Sequence, residues 1–270
     1  MKPLLFTLRA APEQRLDLSK LTPDRLAGLA AKDIEAIEIG TTRVPVKVGD
    51  VFAVTPGDGV TSVRYVGGSE RFDLLGAKLL PGFEIVVEGA VGAQLGRSAR
   101  GGKITVSGDA GAFAASQNAG AHIEIGGDVG DFLGAPLAGE LAGMSGGRVV
   151  VRGKAGARAG DRLRRGILVI EGDSGPDLGA RVIAGTIVAL GAIHGRVGYL
   201  NKRGSIVLAK APCLSSTYVD CGAHHLAFAR LFARSLAADS KGAAALLEQK
   251  LHRFGGDTAV YGKGEILTPV

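Results

Sequence analysis

The sequence predicts a mainly β fold, a parallel solenoid of stacked short strands with helical segments at its ends. Three observations lead there. Glycine makes up 43 of the 270 residues, and 29 of them fall between positions 81 and 210. Within that segment the pattern apolar-x-apolar-x-Gly recurs in phase. Dense glycine at fixed offsets is ruinous for helices but natural at the corners between short strands.

The repeats are anchored at Ile85, Ile104, Ile123, Val149, Leu168, Ile187 and Ile206, so the spacings are 19, 19, 26, 19, 19 and 19. A seven-residue insertion around Pro136–Gly143 accounts for the single 26. Apolar residues two apart share one side of a strand, so each anchor and its i+2 partner point into a common core. One coil of about 19 residues then stacks on the next at ~4.8 Å. Nineteen is not a multiple of six, which argues against a left-handed hexapeptide helix. The residues between the inward pair, Val86, Thr105, Glu124, Val150, Val169, Val188 and Val207, point outward. Five valines on an outer face imply a cover, either the chain's own C-terminal helices or a partner.

The flanks divide the chain into three parts. Residues 1–80 form an N-terminal α/β cap and irregular first coils. They begin with a strand near Leu4–Leu8, and Thr22-Pro23 starts a helix over 23–31. A helical turn at 32–36 follows, then strands near 37–39, 44–48, 51–54 and 60–66. Residues 81–210 are the β-helix of seven repeats. Residues 211–270 form a C-terminal helical segment, with one helix over 219–236, a second over 242–253 ending at Gly255-Gly256, and a closing strand or loop at 262–267.

Composition excludes several classes. The Gly-x-Y register of collagen is absent. No run approaches the length of a membrane span. The N-terminus reads as a strand and not as a signal peptide. Two cysteines point to free thiols in the cytoplasm. Net charge is +6 and the chain has four Tyr and no Trp, a poor match to nucleic-acid binding.

Catalytic residues are hard to find. Cys213, Cys221, His224 and His225 are the one cluster with ligand-capable atoms, but Cys-x7-Cys with adjacent histidines does not suit zinc. Buried thiols and helix-start histidines are the simpler expectation. His122, His194 and His252 show no in-phase carboxylate partner. Asp109, Asp128 and Asp173 each follow a repeat glycine, which is ordinary turn chemistry. No catalytic, cofactor-binding or metal residue is assigned. The strongest surface signal is basic: Arg148, Arg152, Lys154, Arg158, Arg162, Arg164 and Arg165 lie within 18 residues, against one acid, Asp161. Such a run is either a solvated face or a contact for an acidic partner or polyanionic tail.

The repeat resembles the 13-residue motif of the family formed by the C-type subunits of formylmethanofuran dehydrogenases, Gly-x-x-Met-x-x-Gly-x-Ile-x-Val-x-Gly. Residues 141–153, from Leu141 through Met144, Gly147, Val149 and Val151 to Gly153, match it except for Leu141. Gly96–Gly108, Gly160–Gly172 and Gly179–Gly191 match with Ala99, Leu163 and Val182 in place of Met, and 77–89, 115–127 and 198–210 are weaker copies. The stretches 16–29, 253–257 and 262–267 are also similar to those subunits, so the resemblance spans nearly the whole chain. It implies a right-handed parallel β-helix that carries no active site and holds other subunits together. The Ala-, Arg- and Gly-rich composition favours the C-type subunit of the bacterial formyltransferase/hydrolase complex. That complex moves a formyl group from tetrahydromethanopterin to methanofuran and hydrolyses it to formate during formaldehyde oxidation.

The partners implied are a metal-dependent hydrolase subunit with zinc, a dehydrogenase-like B-type subunit and a formyltransferase subunit, and the basic run becomes a candidate contact for the carrier's polyglutamate tail. The alternatives are the C-type subunit of a tungsten or molybdenum formylmethanofuran dehydrogenase in methanogenesis, and a stand-alone β-helix enzyme.

Overall fold

The computed structural model describes residues 2–270. Fifteen strands and five short helices follow in order: β1 (Leu4–Leu8), β2 (Leu16–Asp17), α1 (Pro23–Leu26), α2 (Ala31–Glu35), α3 (Val48–Val51), β3 (Phe52–Thr55), β4 (Ser62–Val66), β5 (Phe72–Asp73), β6 (Glu84–Glu88), β7 (Lys103–Val106), β8 (Ala119–Ile125), β9 (Ser145–Val151), β10 (Arg165–Ile170), β11 (Thr186–Ala189), β12 (Ser205–Leu208), β13 (Val219–His224), α4 (Ala227–Leu236), α5 (Lys241–Glu248), β14 (Leu251–Gly256) and β15 (Gly264–Pro269).

Thirteen strands form one sheet in the order β13-β14-β15-β12-β11-β10-β9-β8-β7-β6-β4-β1-β3. From β1 to β15 every neighbouring pair is parallel, and the antiparallel pairs lie at the two ends. The fold is therefore β-helix-like. The register places each anchor on the next: Ile85 on Ile104, Ile104 on Ile123, Ile123 on Val149, Val149 on Leu168, Leu168 on Ile187 and Ile187 on Ile206. A second row of parallel bridges joins Val91, Ala110, Val129, Ala155, Ser174 and Ile193. These rows bury a single core in which every anchor has no exposed surface.

Aspartates tie the corners together. Asp73 Oδ1 accepts from Ala93 N, Asp109 from Asp128 N, Asp128 from Lys154 N, Asp131 from Ala157 N and Asp173 from Ala192 N, each at 2.7 Å. These carboxylates cap orphan amides of the following turn.

One glycine column explains itself by what stacks over it. Gly96, Gly160 and Gly179 have φ of +62°, +72° and +63°. A Cβ there would meet the δ-methyl of Ile123, Ile187 or Ile206 at 2.5, 2.5 and 2.6 Å. Ala115 occupies the same column, buried and at φ +57°. Two coils beyond it stands Val149, which has no δ-methyl.

Both ends of the sheet depart from the sequence expectation. Residues 219–236 are not one helix: Val219–His224 forms β13, whose ladder with β14 pairs Val219 with Gly255 and Asp220 with Phe254, and only Ala227–Leu236 is helical. The second helix stops at Glu248, because Leu251–Gly256 pairs with β15 along its whole length. A sheet edge supplied by the solenoid outcompetes local helix preference. The closing strand is present as β15, inserted beside β12. In the N-terminal part, the helix over 23–31 is cut to Pro23–Leu26 by Gly28 at φ +82°. The strands near 37–39 and 44–48 shrink to isolated bridges at Glu38–Lys47 and Leu16–Gly40. Around them Phe6, Phe52, Phe72 and Tyr65 form an aromatic cluster, with Phe6 stacked on Tyr65 at 5.0 Å. Burial pushes the Tyr65 hydroxyl pKa up, and that hydroxyl donates to Leu21 O at 3.1 Å.

The column predicts a double-mutant result. Gly160→Ala should lower the urea midpoint by an amount equivalent to about 2–3 kcal/mol, from overpacking and left-handed strain. Adding Ile187→Val should recover part of that loss, because it recreates the Ala115–Val149 arrangement. Strictly additive losses in the double variant would show that the δ-methyl clash is not what selects glycine.

Candidate functional site

The outward face divides at the middle of the sheet. Val150, Val169, Val188 and Val207 are fully buried, and they form a second apolar cluster with Ala229, Ala233 and Leu236 of α4, Ala243, Leu246 and Leu247 of α5, and Leu251 and Leu267. The chain's own helices thus cover this half. The other half, at Val86, Thr105 and Glu124, is left partly open.

Polar groups fasten the turn between α4 and α5 to the sheet. Arg148 donates to Ser235 O at 2.9 Å and pairs with the Asp239 carboxylate, which also faces His122 Nε2 at 3.6 Å. Ser240 caps α5 by accepting from Ala243 N, and its hydroxyl donates to Glu171 Oε1 at 2.6 Å. Arg152 bridges Glu171 at 2.9 Å and Glu124 at 2.5 Å. Burial opposes the charge of Arg152, yet the Glu124 hydrogen bond and the Glu171 charge outweigh it and raise its pKa.

The basic run from 148 to 165 is spread over different environments. Arg148 and Arg152 hold the helical cover. Arg158 lies over the Phe132 ring at 5.7 Å and reaches Asp161 at 3.3 Å. Arg162 donates to Glu140 O at 2.7 Å. Asp161, 2% exposed, is shared with Arg181. Lys154, Arg164 and Arg165 are exposed and have no acidic partner within 4.0 Å among the described residues.

The remaining titratable groups correct several expectations. Cys213 and Cys221 are free and exposed, not buried: Cys213 lies in the irregular segment after β12, and Cys221 lies in β13, the edge strand of the sheet. His224 ends β13 and hydrogen-bonds Cys221 O at 2.7 Å, so it does not start a helix. The three scattered histidines do have carboxylate neighbours, brought from elsewhere in the chain: His122 has Asp239, His194 has Asp173 at 3.5 Å, and His252 has Asp220 at 2.6 Å. A backbone hydrogen bond, followed by the histidine, lowers the pKa of Asp173 and likewise of Asp220. Among the described residues no three His, Cys, Asp or Glu side chains come together as metal ligands, and no helix is long and apolar enough to cross a membrane.

A stacked parallel sheet with its own helical cover defines a β-helix-like protein. No family model matches the chain. It is 42% identical over 88 residues to the C-type subunit of the formyltransferase/hydrolase complex Fhc of Methylorubrum extorquens, a match that spans 33% of this chain and 32% of that relative. The whole chain superposes on a chain in the crystal structure of the Methylorubrum extorquens formyltransferase/hydrolase complex FhcABCD with methylofuran, at TM-score 0.94 and 39% identity, covering 98% of this chain and 99% of that one. The chain belongs to the family of C-type subunits of formyltransferase/hydrolase complexes.

His122 makes the helical fastening sensitive to acid. Burial is the largest influence on it and lowers its pKa, against the opposing pull of Asp239. An unfolded histidine takes up a proton near 6.5, so the stability linked to neutral His122 is present above about 6.5 and is lost as pH falls through the lower folded value. Replacing His122 with Gln should flatten the fall in thermal midpoint between pH 7 and pH 5. An unchanged slope would assign the acid sensitivity to other groups.

Proposed function

We propose that this chain is the non-catalytic, β-helical scaffold of a formyltransferase/hydrolase complex. In this reading the complex transfers a formyl group from tetrahydromethanopterin to a methanofuran-type carrier and hydrolyses it to formate in one-carbon oxidation. The partners are a zinc-dependent hydrolase subunit, a dehydrogenase-like subunit and a formyltransferase subunit, and the assembly works in the cytoplasm. The scaffold itself is a right-handed β-helix with a coil of about 19 residues at 81–210, an N-terminal cap at 1–80 and a C-terminal segment at 211–270 that holds α4 and α5 between β13 and the β14–β15 pair.

The single observation that carries the reading is the match over both full lengths to a chain of the FhcABCD complex at 39% identity. Two features of this chain agree with it. Arg148, Arg152, Glu124, Glu171 and Asp239 are spent on fastening its own helical cover. The chain also leaves apolar side chains on the outside of α4, where Phe228 is 45% and Leu231 67% exposed.

Affinity purification from the native host through a tag on this chain is the test. Three larger subunits should co-purify, with zinc and without molybdenum or tungsten, and the assembly should release formate from the formylated carrier while the isolated chain does not. Molybdenum or tungsten in the assembly would move the chain to a formylmethanofuran dehydrogenase, and activity of the isolated chain would overturn the scaffold reading.

A further inference from the structure

We propose that the bulge in β13 is an edge lock, which keeps the last strand of the sheet from pairing with β13 of a second copy of this chain. β13 has one neighbour, β14, and no strand lies on its other side, because it ends the thirteen-stranded sheet. Val219 is 56% exposed, and Asp220, Cys221 and His224 are exposed as well. A Cβ at Gly222 would meet no atom within 4 Å. An uncovered strand edge offers unpaired N–H and C=O groups to any other strand. The edge at the opposite end, β3, has four residues and runs into Pro56, so β13, with six, is the longer template.

The ladder to β14 breaks in the middle of β13. Asp220 pairs with Phe254 and Ala223 with His252, and the register shifts between them, so Cys221 and Gly222 together stand opposite Arg253. Two residues against one is a bulge, which bends the strand and twists it away from the flat geometry a further strand needs. Gly222 makes the bend at φ +76°. Neighbouring side chains hold the polar groups of the bulge. Gly222 N donates to Asp220 Oδ1 at 2.7 Å, His252 Nε2 donates to the same oxygen at 2.6 Å, and His224 Nε2 donates to Cys221 O at 2.7 Å. Stacking on Phe254 at 4.7 Å fixes the His252 ring, and the Cys221 thiol turns back to Val219 O at 3.4 Å. Backbone groups already engaged in this way are not free to start a ladder with another chain. A second copy is the occupant the edge would otherwise take. In an antiparallel register centred on Gly222, Asp220 falls opposite His224 of the second copy, an opposite-charge pair at each end of the ladder. That contact is two-fold and closes after one addition, whereas pairing β13 with β3 would leave a free edge at each end and build a polymer.

The lock does not depend on which complex the chain serves, and the full chain alone tests it. Sedimentation velocity under a reducing agent, which keeps Cys213 and Cys221 from linking copies, would compare the parent with Asp220→Thr/Gly222→Val/His224→Thr. This variant removes both side-chain clamps and the left-handed residue, and it puts threonine opposite threonine in the two-fold register. It should dimerise at a concentration at least tenfold below any at which the parent does, with amide hydrogen exchange slowed at 219–224. The milder Asp220→Thr/His224→Thr, which keeps Gly222, should shift the same way by at least threefold. Adding Val219→Lys/Cys221→Lys to either variant should return it to the parent's behaviour, because like charges on an edge oppose pairing. Circular dichroism would confirm that each variant keeps the sheet. Folded variants that stay monomeric wherever the parent does would overturn the lock. So would a parent that itself pairs through β13, a dimer protected at Phe228 and Leu231 of α4 in place of β13, or open-ended polymers.

Discussion

Stacking of like on like between successive coils is the constraint on which the rest of this structure depends. Each inward anchor rests on the anchor of the coil before it, so a side chain's shape is felt two coils away. The Gly96–Ile123 and Ala115–Val149 pairs show this most clearly. A δ-methyl demands glycine, and its absence admits alanine. Backbone amides at the corners obey the same rule, since each coil's aspartate satisfies a donor of the next. Because parallel strands of this kind present all their groups to neighbouring coils, the two open edges are the vulnerable points. The chain closes both by reversing direction, with β3 at one end and the β13–β14–β15 meander at the other.

The helical cover follows from that closure. Once β15 lies beside β12, the intervening α4 and α5 are returned to the outer face of the last coils, where four stacked valines supply the apolar floor. The stabilising burial is apolar, while the position of the pair is set by ion pairs at the turn. Arg148, Asp239 and His122 on one side, and Ser240, Glu171, Arg152 and Glu124 on the other, are all at least partly screened from solvent. Ion pairs of this exposure contribute little each, and their coupling into networks on a rigid sheet makes them useful for placement.

Chemistry in the usual enzymatic sense is distributed rather than convergent. The histidine–carboxylate pairs lie in three separate places; of the exposed thiols, Cys221 follows the Asp220 that pairs with His252, and Cys213 lies in the irregular segment before β13. The cations Arg100, Arg164 and Lys202 share one phase of the repeat, with Ala119 and Ile183 among the residues of that phase that separate them.

Much of the fold was legible in the sequence, because a period of 19 residues converts directly into strand register. The anchors, the outward valines and the glycine columns all occupy the places their phase dictates. Tertiary structure decided what periodicity does not encode. Val219–His224 became a strand because β14 offered it a ladder, and Leu251–Gly256 left the helix because β15 was beside it. Asp239 and His122, 117 positions apart, became neighbours only when the helices folded back. The basic run at 148–165 was visible as composition, but its division was not: Arg148 and Arg152 turned to the helical cover while Arg164 and Arg165 stayed in solvent. Local pattern determines which way a side chain points along its own strand. Which distant segment meets it there is settled by closure of the ends, and no local pattern carries that information.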